Sequence, residues 1–353
     1  NSLKTRLEDL HEMNPSVDVD QLTPRSRTVT LDHAPWQVAV SHAQGLRKEM
    51  QDAHLCTEIR LPIDGEAHVL SLVALFDGHG EHGAEVARHC ADNLPVLLKN
   101  ALIEFCAEKK SLTHGRLLSA LTRAFVRLDD DTPVEKGGAT ATLAMLCDDH
   151  LWVANVGDSR AVLCGTDYLQ MIAAIDGNTS TNNENKNADD EDDFEKQKFQ
   201  SFSSISTSAT DEEEILRPKG VGDNVPVMQL TEDAKPTATR YLKSIEKRGG
   251  YVLDDRVNGA LAVARSIGDK HIGPAVSPRP KVTLLPLRHV PNGAHLVLAC
   301  DGLFDVASSQ QVAEAVVYVA SKTTQNEVAD IAEALVAASL VAGSTDNVST
   351  VVV

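Results

Sequence analysis

Six acids in this chain stand where an apolar run meets a turn. Asp77 ends the run in VLSLVALFDGHG, with an imidazole, His79, two residues beyond it. Asp158 interrupts ANVGDSRAVL, Asp301 and Asp305 follow the run in LVLACDGLFDV, Asp346 precedes NVSTVVV, and Asp52 lies in RKEMQDAH. Any one of them alone is a turn residue. Several brought together would repel one another unless a cation neutralised them. Carboxylates are oxygen donors that leave positions for water, which suits magnesium or manganese. Linear spacing does not establish that they converge; that depends on the elements around them.

Residues 36–45, WQVAVSHAQG, read as a strand entering a turn, and residues 69–80 as a strand ending in the acidic loop. GAEVARHCADNLPVLLKNAL and LLSALTRAFVRLDDD carry helical apolar spacing, with Pro95 a candidate break in the first. GATATLAMLCDD and HLWVANVGDSRAVLC are β-rich with a tight turn between them, and VTLLPL, AHLVLAC and NVSTVVV supply further strands. Two amphipathic helices, SSQQVAEAVVYVASK and NEVADIAEALVAASLV, separate the last two. Helix pairs between strand groups predict sheets covered by helices. Leu3, Leu7, Leu10 and Met13 predict a short docking helix ahead of all this. Residues 176–224 differ: 13 Asp or Glu against five Lys or Arg, set among Ser, Thr and Asn without apolar periodicity, predict a solvated, disordered insertion.

A length of 353 residues fits one large domain or two ordinary ones, and 42% apolar residues suffice for a substantial core. A net charge of -18 argues against general nucleic-acid binding, which needs a basic footprint. The six cysteines form no CxxC pair and sit among apolar residues. They read as buried thiols of a reducing compartment, so a cytoplasmic or nuclear location is expected. No apolar run approaches the ~20 residues of a membrane span, and no signal peptide is visible.

GLRKEMQDAH, FDGHG, GATAT, ANVGDSRAVL, RVNGALAVARSIGD, ACDGLFDV and GSTDN occur in that order. In this combination residues 36–353, outside the acidic stretch, resemble the metal-dependent, type 2C family of protein serine/threonine phosphatases. The resemblance implies one catalytic domain over residues 1–353, with an N-terminal extension 1–35 and the acidic insertion at about 176–224. Its fold would be α+β, a four-layer α-β-β-α sandwich with two central antiparallel β-sheets flanked by helices. The implied reaction is hydrolysis of phosphoserine and phosphothreonine in proteins by direct attack of a metal-bridging water or hydroxide, without a phosphoenzyme. Two Mg2+ or Mn2+ ions would form the core site. Asp77 would bridge them, the Gly78 carbonyl would ligate one, and Asp301 and Asp346 would serve the other. Asp158 and Asp305 match residues that hold a third, weaker ion together with Asp301. Arg47 matches the phosphate-binding arginine, whose planar fork grips two oxygens at once. His79 matches the histidine proposed to protonate the leaving alkoxide, a role suited to an imidazole near neutral pH. The implied partners are phosphoprotein substrates, not nucleic acid, and a monomer is expected.

Three positions depart from the family pattern. Gln51-Asp52 stands where many relatives have Glu-Asp, so Asp52 is expected to serve as ligand with Gln51 near the metal or its waters. Glu81 follows Gly80 where a second glycine is common, which adds a carboxylate at the cleft mouth. Ala234 replaces a histidine in LTEDAKP, an expected packing change. Residues 231–258 match the flap beside the active site. Gln51 and the missing glycine leave a pseudophosphatase or phosphoprotein-binding scaffold as the alternative, and a hydrolase of small phosphoesters as a third reading.

Overall fold

Runs rich in Val, Leu and Ala pair into two antiparallel sheets in a computed structural model that describes residues 13, 17–63, 66–107, 111–165, 225–323 and 327–353. The acidic stretch 176–224 and the expected helix over residues 3–13, Met13 aside, lie outside the described residues. In chain order the strands are β1 (Arg25–Thr30), β2 (Gln37–Ala43), β3 (Ala53–Ile63), β4 (Glu66–Phe76), β5 (Gly78–His79), β6 (Gly138–Ala139), β7 (Ala141–Cys147) and β8 (His150–Val156). They continue with β9 (Arg160–Cys164), β10 (Val227–Gln229), β11 (Val252–Leu253), β12 (Arg256–Val257), β13 (Ile267–Gly268), β14 (Lys281–Pro286), β15 (His295–Ala299) and β16 (Val348–Val352). One sheet has the order β1-β2-β16-β15-β9-β10, the other β14-β8-β7-β4-β3. Helices α1 (Gly83–Ala107) and α2 (His114–Asp130) cover the second sheet. The first is covered by α4 (Asp301–Phe304), α5 (Ser309–Ala320) and α6 (Glu327–Val341), and α3 (Thr239–Lys247) belongs to a smaller cluster with the β11–β12 hairpin.

The period of two along each strand sorts side chains between layers. In β4, Leu70, Leu72, Ala74 and Phe76 pack against α1 and α2, while Val73 faces the other sheet. In β15, Val297 and Ala299 meet α5 and α6, whereas Leu296 and Leu298 fill the space between sheets. Both faces are buried, so these strands read as continuous apolar runs rather than alternating ones. Each fully buried Leu, Val or Phe contributes about 1.5–3 kcal/mol. The result is the α-β-β-α sandwich that the sequence predicts.

Helix α1 runs through Pro95 without ending. A proline inside a helix removes one hydrogen bond and costs about 3 kcal/mol. Val86, Cys90, Leu94, Leu98 and Leu102 are each 0% exposed along one face, and their packing outweighs that cost. Helix α5 opens on a capping box, Ser308 with Gln311, and α2 on Thr113, whose hydroxyl accepts from the Arg116 amide. Five of the six thiols are buried and Cys56 is half-buried, all of them free. Among the described residues no helix is long and apolar enough to cross a membrane.

Both sheets end on the same side of the sandwich. Leu75 of β4 pairs with Thr142 of β7, Ala141 pairs with Val156 of β8, and Ala299 of β15 pairs with Thr350 of β16. The residues that follow β4, β8 and β15, and those that precede β16, therefore emerge together.

Candidate metal centre

A cleft of about 900 Å3 opens at that end. Arg47, Asp77, Gly78, His79, Asp158, Asp301, Asp305 and Asp346, all singled out in the sequence, line it. Asp52 is placed differently. It is not among the residues that line the cleft, and both of its carboxylate oxygens are buried. Oxygens of Asp52 and Asp77 and the Cys300 sulfur all lie within 4.8 Å of one another.

The backbone around each acid is fixed by residues from other motifs. Thr140 brackets Asp77: its amide donates to the Asp77 carbonyl at 2.9 Å, and its hydroxyl accepts from the Asp77 amide at 3.3 Å. The same hydroxyl meets Ser159 at 2.7 Å, tying the Asp77 loop to the Asp158 loop. Asp301 opens the single turn of α4, and Gly302 sits so close to the next loop that a Cβ there would fall 2.1 Å from the Asn347 carbonyl oxygen. Only glycine permits that approach, which brings Asp301 beside Asp346. Asn347 then clamps the loop carrying Arg47. Its amide nitrogen donates to the Gln44 carbonyl at 2.7 Å and the Glu49 carbonyl at 3.0 Å, and its oxygen accepts from the Gln51 amide at 2.8 Å. Arg47 itself reaches Asp346 at 2.5 Å with its side chain more than half exposed. Gln51 donates its side-chain amide to Glu49 at 2.6 Å and to the Gly80 carbonyl at 2.9 Å.

His79 is held by a three-stranded ribbon of β13, β6 and β5, in which Gly138 pairs with both His79 and Gly268. Asp269 follows in a left-handed conformation, φ 52°, and its carboxylate meets the His79 Nε2 at 2.6 Å. Ser266 donates to the same oxygen at 2.6 Å. A Cβ on Gly138 would lie 2.2 Å from that Asp269 oxygen, so the missing side chain makes room for the pair. Burial alone would lower the His79 pKa; the Asp269 hydrogen bond and charge, with Asp158 and Asp301, raise it instead.

Burial also governs the acids. It lifts the Asp77 carboxyl well above the usual range, and the charges of Asp52, Asp301, Asp158 and Asp346 raise it further. Asp52 is pushed up to about 6 by burial with the Asp346 charge adding to it, and Asp301 to about 7 by burial with Asp158, Asp305 and Asp346. Buried acids that repel one another in a cleft mark a functional site, and a bound cation would relieve the repulsion. The oxygen-rich donor set fits hard divalent cations such as Mg2+ or Mn2+.

Asp269, Thr140, Asn347 and Lys235, whose ammonium pairs with Asp158, carry no functional signal in the sequence. No spacing rule points to them, because their partners are distant in sequence: Asp269 and His79 are 190 residues apart. Ala234, as expected, serves packing: it is 1% exposed within the cluster around α3.

The protein phosphatase 2C sequence profile matches residues 36–191 and 219–348. Among curated proteins, the chain is similar to Protein phosphatase 2C 16 of Arabidopsis thaliana, 28% identical over 85% of this chain and 54% of the relative. It is similar to Protein phosphatase 2C homolog 2 of Schizosaccharomyces pombe, 29% identical over 78% and 60%. The Homo sapiens integrin-linked kinase-associated serine/threonine phosphatase 2C is 30% identical over 77% of this chain and 58% of its own length. The chain thus spans somewhat over half of these relatives. Among solved structures, a serine-threonine phosphatase 2C from Toxoplasma gondii shares the fold with a TM-score of 0.58 at 18% identity, covering 94% of this chain and 99% of that one. A Caenorhabditis elegans sex determining protein does so with a TM-score of 0.59 at 22% identity, covering 89% and 64%.

Proposed function

The chain belongs to the protein phosphatase 2C family, and on that premise we propose that it is a metal-dependent protein phosphatase that hydrolyses phosphoserine and phosphothreonine. The observation that carries this reading is the convergence of Asp77, Asp301 and Asp346 on one cleft that Arg47 and His79 also line. Asp52, Asp77, Asp301, Asp346 and the Gly78 carbonyl would hold two Mg2+ or Mn2+ ions. When bound, such ions lower the pKa of a shared water toward neutrality and offset phosphoryl charge.

The remaining work falls to the chain's own groups. Arg47 binds the phosphoryl oxygens with its guanidinium fork; it rests on Asp346 and is exposed enough to swing toward an incoming phosphate. Water oxygen forms the new bond to phosphorus as the serine or threonine oxygen departs. His79 gives that oxygen its proton. With Nε2 engaged by Asp269, Nδ1 is the nitrogen that carries the transferred proton, and Asp269 favours the charged ring that can give it. Thr140 and Asn347 keep the acids and the Arg47 loop in register.

Gln51 is the observation that favours a second reading, a phosphoprotein-binding scaffold. Its amide is committed to Glu49 and Gly80, where many relatives place a charged ligand. One assay separates the two: turnover of a phosphothreonine peptide in Mn2+ or Mg2+, then in chelator. Phosphate release that the chelator abolishes supports the enzyme; binding of the peptide without release in either metal supports the scaffold.

A further inference from the structure

Asp158 is one of the most deeply buried acids of the cleft, 3% exposed, and its partner is the ammonium of Lys235. That contact is built by the backbone. Residues 230–234 lie as a strap against β9 and the loop before it. The Leu230 amide donates to the Ala161 carbonyl at 2.8 Å, and the Ala161 amide donates to the Thr231 hydroxyl at 3.1 Å. Arg160 holds Asp233 with both arms of its fork, at 2.8 and 2.7 Å. The Ala234 amide donates to the Gly157 carbonyl at 2.9 Å, and the Ala234 carbonyl accepts from the Ala264 amide at 2.6 Å. Residue 235 therefore starts beside Asp158, and its side chain, 42% exposed, lines the cleft.

We propose that Lys235 is a tethered cation that occupies the third-ion position formed by Asp158, Asp301 and Asp305, so that a divalent ion there must displace it. The proposal rests on the two-ion reading above. Its basis is charge compensation. Asp52 and Asp77 lie within 4.8 Å of one another and of the Cys300 sulfur, a cluster of acid and thiol groups, whereas Asp158 carries its own counter-ion. The Lys235 ammonium sits against Asp158, and Asp301 and Asp305 line the same cleft. A cation fixed in contact with a buried carboxylate opposes entry of a second one, because like charges a few ångströms apart repel strongly away from bulk water. The third position is then a weak site whose affinity the strap sets, and the two core positions remain the tight ones.

The test is a Mn2+ titration of the metal-free full chain, followed by calorimetry and by the free-Mn2+ electron paramagnetic resonance signal, for the wild type, Lys235→Met, Lys235→Gln and Lys235→Arg. The expected result is two tight ions in every protein, with a third binding about tenfold or more tightly in the Met and Gln variants than in the wild type. The Arg variant should keep the wild-type count. Two neutral variants of different shape guard against one failing to fold, which circular dichroism reports. Two tight ions with a third of unchanged affinity in the neutral variants would overturn the proposal alone. A wild type that takes up no Mn2+ would overturn the two-ion reading and the proposal with it.

Discussion

Among single residues, the site depends on the groups that hold its reactive side chains in place. Asp269 meets His79 beside Gly138 and accepts from Ser266 as well, so its carboxylate is held where it meets the ring. General acid catalysis contributes about 10²–10⁴ in rate. Asp269→Asn is therefore expected to lower kcat on phosphopeptide by about tenfold or more while KM changes little. It should also move the alkaline fall of the pH profile to lower pH, because the charge that raises the His79 pKa is gone. An unchanged profile would leave Asp269 a purely structural residue. Arg47 makes a different prediction. Arg47→Lys keeps the charge but loses the fork, so kcat/KM should stay close to that of Arg47→Ala rather than return to wild type.

At the scale of elements, the loops that carry the acids are joined by polar side chains with several obligations each. Asn347, 5% exposed, satisfies two carbonyls and one amide of the loop 44–51. Each buried group left unsatisfied costs about 1–3 kcal/mol. Asn347→Ala should lower the thermal midpoint and, by loosening the Arg47 loop, raise KM for phosphopeptide more than it lowers kcat. The strands were legible in the sequence because burial on both faces makes them apolar throughout, and the acids because each breaks such a run. Pro95 misled, since a local propensity of about 3 kcal/mol yields to a fully buried helix face. The Asp269–His79 pair and the Lys235 strap were not legible: they are contacts between loops whose meeting the sheet ends dictate and no local pattern encodes. The burial of the Asp52 carboxylate was hidden for the same reason, since Asp77 and Cys300, from distant parts of the chain, close on it.

For the molecule as a whole, the proposed ions and the acidic end of the sandwich predict a link between metal and stability. Asp52 and Asp301 titrate in the fold at about 6 and about 7, above the ordinary carboxylate value of about 4. Between those values the folded chain holds more protons than the unfolded one, so stability falls as pH rises. In chelator, the contribution of these groups is fully present below about pH 4 and is lost as pH passes through about 6 to 7. Thermal midpoints measured between pH 5 and 8 should carry this downward trend in chelator, and saturating Mn2+ should flatten or reverse it, because a bound cation favours the charged carboxylates. Asp301→Asn should weaken the trend in chelator and abolish turnover in metal. A midpoint that responds to pH identically with and without Mn2+ would argue that the acids do not meet a cation.

Asp52, Asp77, Asp301 and Asp346, from four separate stretches of chain, are proposed to hold divalent ions together. Anomalous scattering from crystals soaked in Mn2+ would locate those ions. Two peaks are predicted, both in contact with the Asp77 carboxylate, one of them also with Asp301 and Asp346. Soaked crystals with no manganese peak at Asp77, or with manganese bound only elsewhere, would contradict that assignment.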